Sequence, residues 1–140
     1  MMMEPLKNWV NYLTKALEQL TEGEFLLFSD MTPSKIPKKK GVYLISVKKE
    51  GVEIPYYVGR SKNLSQRLYG NHLMGPLTNA CLKRYLIDST ECKDIDGAKQ
   101  FIKEHCIVRW FCETDTRKRG AVEGYVTGMI FPKYGIYEEH

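Results

Sequence analysis

Five side chains along the chain are of types that could act on a phosphorylated substrate: Tyr43, Tyr57, Arg67, His72 and Glu123. A guanidinium such as Arg67 donates a planar fork to two oxygens of one phosphate, a geometry lysine cannot copy. Glu123 is a hard oxygen ligand of the kind Mg²⁺ or Mn²⁺ takes, with water and substrate completing the shell. A phenol ionises near pH 10 and acts as a base near neutrality only beside positive charge, which Arg60, Lys62 and Arg67 could supply. Each residue alone has a plainer reading. Tyrosines suit strands, arginines suit helix surfaces, and a glutamate beside an apolar stripe is commonly solvated.

The elements that must position them follow from periodicity. Val42 to Val47 and Pro55 to Gly59 read as two strands of a hairpin, with a polar turn over residues 48–53. Asn63 and Gln66 have the spacing of a capping box, so a helix opens directly after the second strand and carries Arg67 and His72. Residues 77–86 and 95–104 read as further helices, and 106–112 as a strand. The last element spans Gly120 to Phe131, where Val122, Tyr125, Val126, Met129 and Ile130 form a stripe ended by Pro132. Gly124 and Gly128 are costly in a helix, and close packing on the sheet would explain them and bring Glu123 to the hairpin. At the N-terminus, Leu6, Trp9, Val10, Leu13, Leu17 and Leu20 make an amphipathic helix between Pro5 and Gly23.

Composition narrows the class. The 140 residues suit one domain, and 43% apolar with 27% charged residues is a globular balance. No run reaches the roughly 20 apolar residues of a membrane span, and the N-terminus has no secretory pattern, so the expected address is cytoplasmic, with no membrane partner. The cysteines, Cys81, Cys92, Cys106 and Cys112, contain no close pair of the kind that builds zinc or redox sites and read as reduced thiols. Charge is uneven. Residues 33–84 carry eleven basic side chains against Glu50 and Glu53, whereas the flanking thirds are slightly acidic. Such an excess favours polyanions, although Lys38, Lys39 and Lys40 could equally be a solvated loop.

The stretch GVYLISVKKEGVEIPYYVGRSKNLSQRLYGNHL, residues 41–73, resembles the GIY-YIG endonuclease family, with GVY at 41–43 and YVG at 57–59. GAVEGYVTGMIFPKYG, residues 120–135, is similar to that family's closing segment. The resemblance covers about residues 40–137 and implies an α/β fold: a small three-stranded, mainly antiparallel sheet flanked by helices, with the N-terminal helix as an addition. It divides the chain into a helical extension, 1–34, and a nuclease domain, 35–140. It implies a metal-dependent endonuclease acting on DNA, RNA remaining open, with Tyr43 as general base, Tyr57 and His72 orienting or relaying a proton, Arg67 stabilising phosphoryl charge and Glu123 holding Mg²⁺ or Mn²⁺. Phosphate contacts are expected from Lys38, Lys39, Lys40, Arg60, Lys62, Lys83, Arg84, Arg117, Lys118 and Arg119. A non-catalytic nucleic-acid-binding module of the same fold is the alternative, and a homodimer is neither required nor excluded.

Two departures bear on the site. The family places its histidine four residues after the arginine, where this chain has Asn71, and His72 comes fifth. On a regular α-helix five positions turn the side chain about 140° away, unless Gly70 breaks or bulges the helix. Asn71 is the substitute if it does not. The family's closing asparagine is replaced by Gly135, which has no side chain to donate a hydrogen bond.

Overall fold

The computed structural model describes residues 3–76 and 81–135. Its centre is a four-stranded antiparallel sheet in the order β1-β4-β2-β3. The strands are β1 (Leu26–Leu27), β2 (Gly41–Lys49), β3 (Val52–Ser61) and β4 (Cys106–Cys112). The expected hairpin and third strand are therefore present, and the expected count of three is corrected to four. The addition is the two-residue β1, which pairs with Ile107 and Val108 of β4. A strand that short has no periodicity of its own to reveal it.

The hairpin is longer than its apolar run because Glu50 and Gly51, at φ 52° and 78°, close it with the left-handed pair that suits a tight hairpin turn. Ile45 pairs with Tyr57 and Ser46 with Pro55, leaving Tyr56 as the extra residue of a bulge. The bulge lets two consecutive tyrosines face one side of the sheet: Tyr56 is in the core there and Tyr57 packs against it. Pro55 lies in the edge strand, where a missing N–H is tolerated.

Helices lie on both faces. On one, α1 (Glu4–Glu22) and α4 (Thr116–Ile130) bury Leu13, Ala16, Leu20, Val122 and Val126 against Val42, Leu44 and Val58. On the other, a π-helix (Gln66–Leu73), α2 (Cys81–Asp88) and α3 (Ile95–His105) cover Tyr43, Ile45, Val47 and Val108. The period-2 alternation of β2 thus sends odd-numbered residues to one layer and even-numbered ones to the other. Of the helix expected over 77–86, residues 77–80 lie outside the described residues. α4 begins four residues before the expected start, because Asp115 caps it by accepting from the Lys118 N–H at 2.9 Å.

Candidate active site at the hairpin edge

Tyr43 is fully buried on β2 opposite Gly59, and that glycine is what admits it: a Cβ there would collide with the Tyr43 hydroxyl and ring. Arg67 Nε donates to the Tyr43 hydroxyl at 3.2 Å, and the same hydroxyl lies 2.7 Å from His72 Nε2. An arginine has only donors, so the hydroxyl accepts from Arg67, and it donates to His72 Nε2 in the tautomer that carries the imidazole proton on Nδ1. Nδ1 is buried and has no hydrogen-bond partner among the described residues. The ring of Tyr57 completes the group, 6.3 Å from Tyr43 and 5.3 Å from His72 between centroids.

The five-residue spacing works because the helix is wound with i→i+5 hydrogen bonds. Met74 donates to the Tyr69 carbonyl at 3.0 Å, five residues back. In that winding residues five apart share a face, so Arg67 and His72 reach one hydroxyl. Asn63 caps the entry, its Oδ1 accepting from Gln66 N at 3.1 Å. Asn71 faces elsewhere and accepts from Gln66 Nε2 at 3.3 Å.

Burial dominates the protonation of the cluster. It drives the Tyr43 phenol well above its usual range, with Tyr57 adding to the shift and Arg67 opposing it. Tyr57 is raised too, by burial and by Cys81. His72 is pushed down to about 3 by burial, Arg67 and Lys83, so the imidazole is neutral. Burial opposes the Arg67 charge, but Tyr43 and Cys81 more than offset that, and the guanidinium remains a fixed cation.

Cys81 is a member that sequence reading missed. Its Sγ accepts from Arg67 Nη2 at 3.5 Å and from Arg84 Nη2 at 3.2 Å. Burial opposes ionisation of the thiol, yet those two guanidiniums hold its pKa below the ordinary value. A cysteine with no spaced partner carries no signal in one dimension.

Glu123 stands apart from the phenols. It lies on α4, on the opposite face of the sheet, and pairs with Arg60 at 3.7 Å. Arg60 directly follows Gly59 on the edge strand and is paired in register with Val42, hence on the α4 side. Burial raises the Glu123 pKa and Arg60 opposes the rise. The expectation that Gly124 and Gly128 bring α4 close to the sheet is corrected, since nothing among the described residues lies within 4 Å of a Cβ at either. The close approach is at Gly120, where a Cβ would sit 2.5 Å from Arg60 Nη1.

Most of the expected phosphate contacts are exposed: Lys38, Lys39, Lys40, Arg60, Lys62, Arg84, Arg117 and Lys118. Two are not, and for these the expectation is corrected. Lys83 is 1% exposed, its ammonium donating to the Leu73 and Gly75 carbonyls at 2.6 and 3.0 Å. Arg119 is 3% exposed and binds the Glu113 and Thr114 carbonyls at 3.2 and 2.7 Å. Both satisfy backbone oxygens that helix and loop ends leave open.

The closing segment reaches the same edge. Lys133 N donates to the Pro55 carbonyl and Tyr134 N to the Tyr56 carbonyl, at 3.0 and 2.9 Å, extending the pairing beyond β3. Glu91 holds this segment, accepting from Lys133 Nζ, Tyr134 and Tyr56. Gly135 sits at φ +82°, where a Cβ would lie 3.0 Å from the Tyr57 ring. An asparagine there would need both a strained backbone and a displaced tyrosine.

The chain is similar to a GIY-YIG endonuclease domain. Two solved forms of the GIY-YIG N-terminal endonuclease domain of UvrC from Thermotoga maritima, both point mutants bound to its catalytic divalent cation, have TM-scores of 0.45 and 18% identity, with 97% of this chain and 100% of theirs covered. A magnesium-bound form has a TM-score of 0.40 and 20% identity, over 96% of this chain and 100% of that one. No family model and no curated protein matches the chain.

Proposed function

We propose that the chain is a GIY-YIG-type endonuclease that hydrolyses phosphodiester bonds in DNA with a divalent metal, Mg²⁺ or Mn²⁺. The observation that carries this reading is the meeting of Arg67 and His72 on the Tyr43 hydroxyl. A guanidinium fixed beside a phenol that can release its proton to an imidazole is a device for moving protons next to an anion. With Arg67 Nε on Tyr43 and one Nη2 hydrogen on Cys81, Nη1 and the second Nη2 hydrogen remain for a phosphate oxygen.

Tyr43 is fully buried and held protonated, so it serves as a base only by handing its proton to His72 Nε2 as it accepts another. A phosphate brought against Arg67 offsets the positive charge that helps keep His72 neutral, which favours that transfer. Tyr57, only half-buried, orients the incoming water. Glu123 is the metal ligand. Among the described residues no three His, Cys, Asp or Glu side chains gather as a cluster. A single carboxylate with water and phosphate is nevertheless an ordinary magnesium site, and the loose contact to the half-exposed Arg60 leaves that guanidinium able to turn to the substrate. When bound, the cation supplies positive charge to the phosphoryl and departing oxygens.

Incubation with supercoiled plasmid, linear duplex and branched DNA in Mg²⁺ and in Mn²⁺ tests this. Cleavage is expected, falling about 100-fold or more in Arg67→Ala and Glu123→Ala, the usual scale for losing a group that stabilises the transition state. Gly135 favours the second reading, a binding module without cleavage, because the family's last polar contact is missing. Tight binding with no cleavage in either metal would establish the module and overturn the enzyme.

A further inference from the structure

The N-terminal helix carries an aromatic pair at the end of the molecule where the exposed cations collect. Trp9 and Tyr12 stack with centroids 5.2 Å apart and planes 15° apart. Trp9 lines a groove of about 410 Å³ with Asp115, Arg117, Lys118 and Ala121 at the start of α4, and Lys118 Nζ lies 5.7 Å from the centroid of Tyr12. A second groove, about 560 Å³, is lined by Lys38, Lys39, Lys40 and Lys62 together with Cys112, Glu113 and Thr114. A third, about 260 Å³, shares Lys62 and leads to Arg60, the partner of Glu123. All three adjoin the start of α4, through Asp115, Thr114 and Thr116 in turn, and form a belt there that includes Trp9 and, in the third groove, Arg60.

The acidic groups in the belt are engaged. Glu113 accepts from the Tyr12 hydroxyl and from Asp115 N, and Asp115 caps α4. Both carboxylates keep their charge, but Lys38, Lys39, Lys40, Lys62, Arg117 and Lys118 outnumber them along the grooves, so the balance there is positive. An indole beside cations at the mouth of a basic track matches the chemistry of a nucleobase attached to its phosphate: the ring stacks on the base and the cations take the backbone.

We infer that Trp9 is a stacking platform for an unpaired nucleobase, so that the N-terminal helix gives the protein a preference for single-stranded or flapped nucleic acid at the approach to the site. In a paired stack the base faces are already covered, and Trp9 then has nothing to stack on. The inference rests on the proposed nucleic-acid function, and its failure is separable from failure of that function.

The test is equilibrium binding of the full chain, without divalent metal, to three fluorescent oligomers of equal length: single-stranded DNA, duplex DNA and an abasic sugar–phosphate strand. The single strand should bind roughly ten-fold more tightly than the abasic strand. Trp9→Ala should abolish that difference, and Trp9→Phe should retain part of it and guard against loss of helix packing. Equal affinity of the unmodified protein for the abasic and normal strands would overturn the stacking platform while leaving phosphate binding intact. Unchanged discrimination in a folded Trp9→Ala protein would do the same. Binding to none of the three would sink both this inference and the proposed function.

Discussion

Gly59 leaves room for the phenol on which Arg67 and His72 meet, so the smallest residue of the hairpin decides whether the largest polar side chain beneath it fits. Gly59→Ala should cost about 1–3 kcal/mol of stability through overpacking, read from urea unfolding, and should abolish cleavage by displacing Tyr43. His72 makes a prediction of its own. Its folded pKa, about 3, lies below the roughly 6.5 of an unfolded histidine. The unfolded chain therefore binds the extra proton as pH falls. The stability due to neutral burial is complete above pH 6.5 and declines below it, with a slope approaching about 1.4 kcal/mol per pH unit. Between pH 6.5 and 5, above the carboxylate range, His72→Gln should flatten that slope. An unchanged slope would mean that the imidazole is not held as described.

At the scale of elements, the i→i+5 winding and the closing segment both deliver side chains to the open edge of β3. Glu91 ties that segment down by accepting from the adjacent Lys133 and Tyr134 and from Tyr56 of β3. Hydrogen bonds to a charged acceptor are worth about 1.5–3 kcal/mol each, so Glu91→Ala should lower stability by about 2 kcal/mol. It should also make the bond after Lys133 a fast site for trypsin in a folded protein. Slow cleavage there, equal to that of the unmodified chain, would show that backbone pairing to Pro55 and Tyr56 suffices.

Across the whole molecule, the cations divide into those that face solvent and those spent on the framework. Neutralising Lys39 or Lys40 should reduce the slope of log affinity against log salt on duplex DNA by up to about 0.9 for each phosphate left without its cation. Lys83→Met should leave that slope alone and instead destabilise the fold by about 1–3 kcal/mol, because it strips the Leu73 and Gly75 carbonyls of a buried donor. A slope that moved with Lys83 would refute its internal placement.

The residue string by itself determined the hairpin, the strand at 106–112 and the helix boundary at Asn63, and it singled out the candidates Tyr43, Tyr57, Arg67, His72 and Glu123. Alternation, capping and turn chemistry are local, and they survive in one dimension. Only the tertiary structure decided that His72 rather than Asn71 reaches Tyr43, because the winding of one short helix depends on what it packs against. The inward turn of Lys83 and Arg119 was equally illegible, since a cation's destination depends on which carbonyls the folded chain leaves open. So was the place of Glu123, which reaches the hairpin through Arg60 and not beside the phenols: which face of a sheet a distant helix covers is settled by packing of the whole chain.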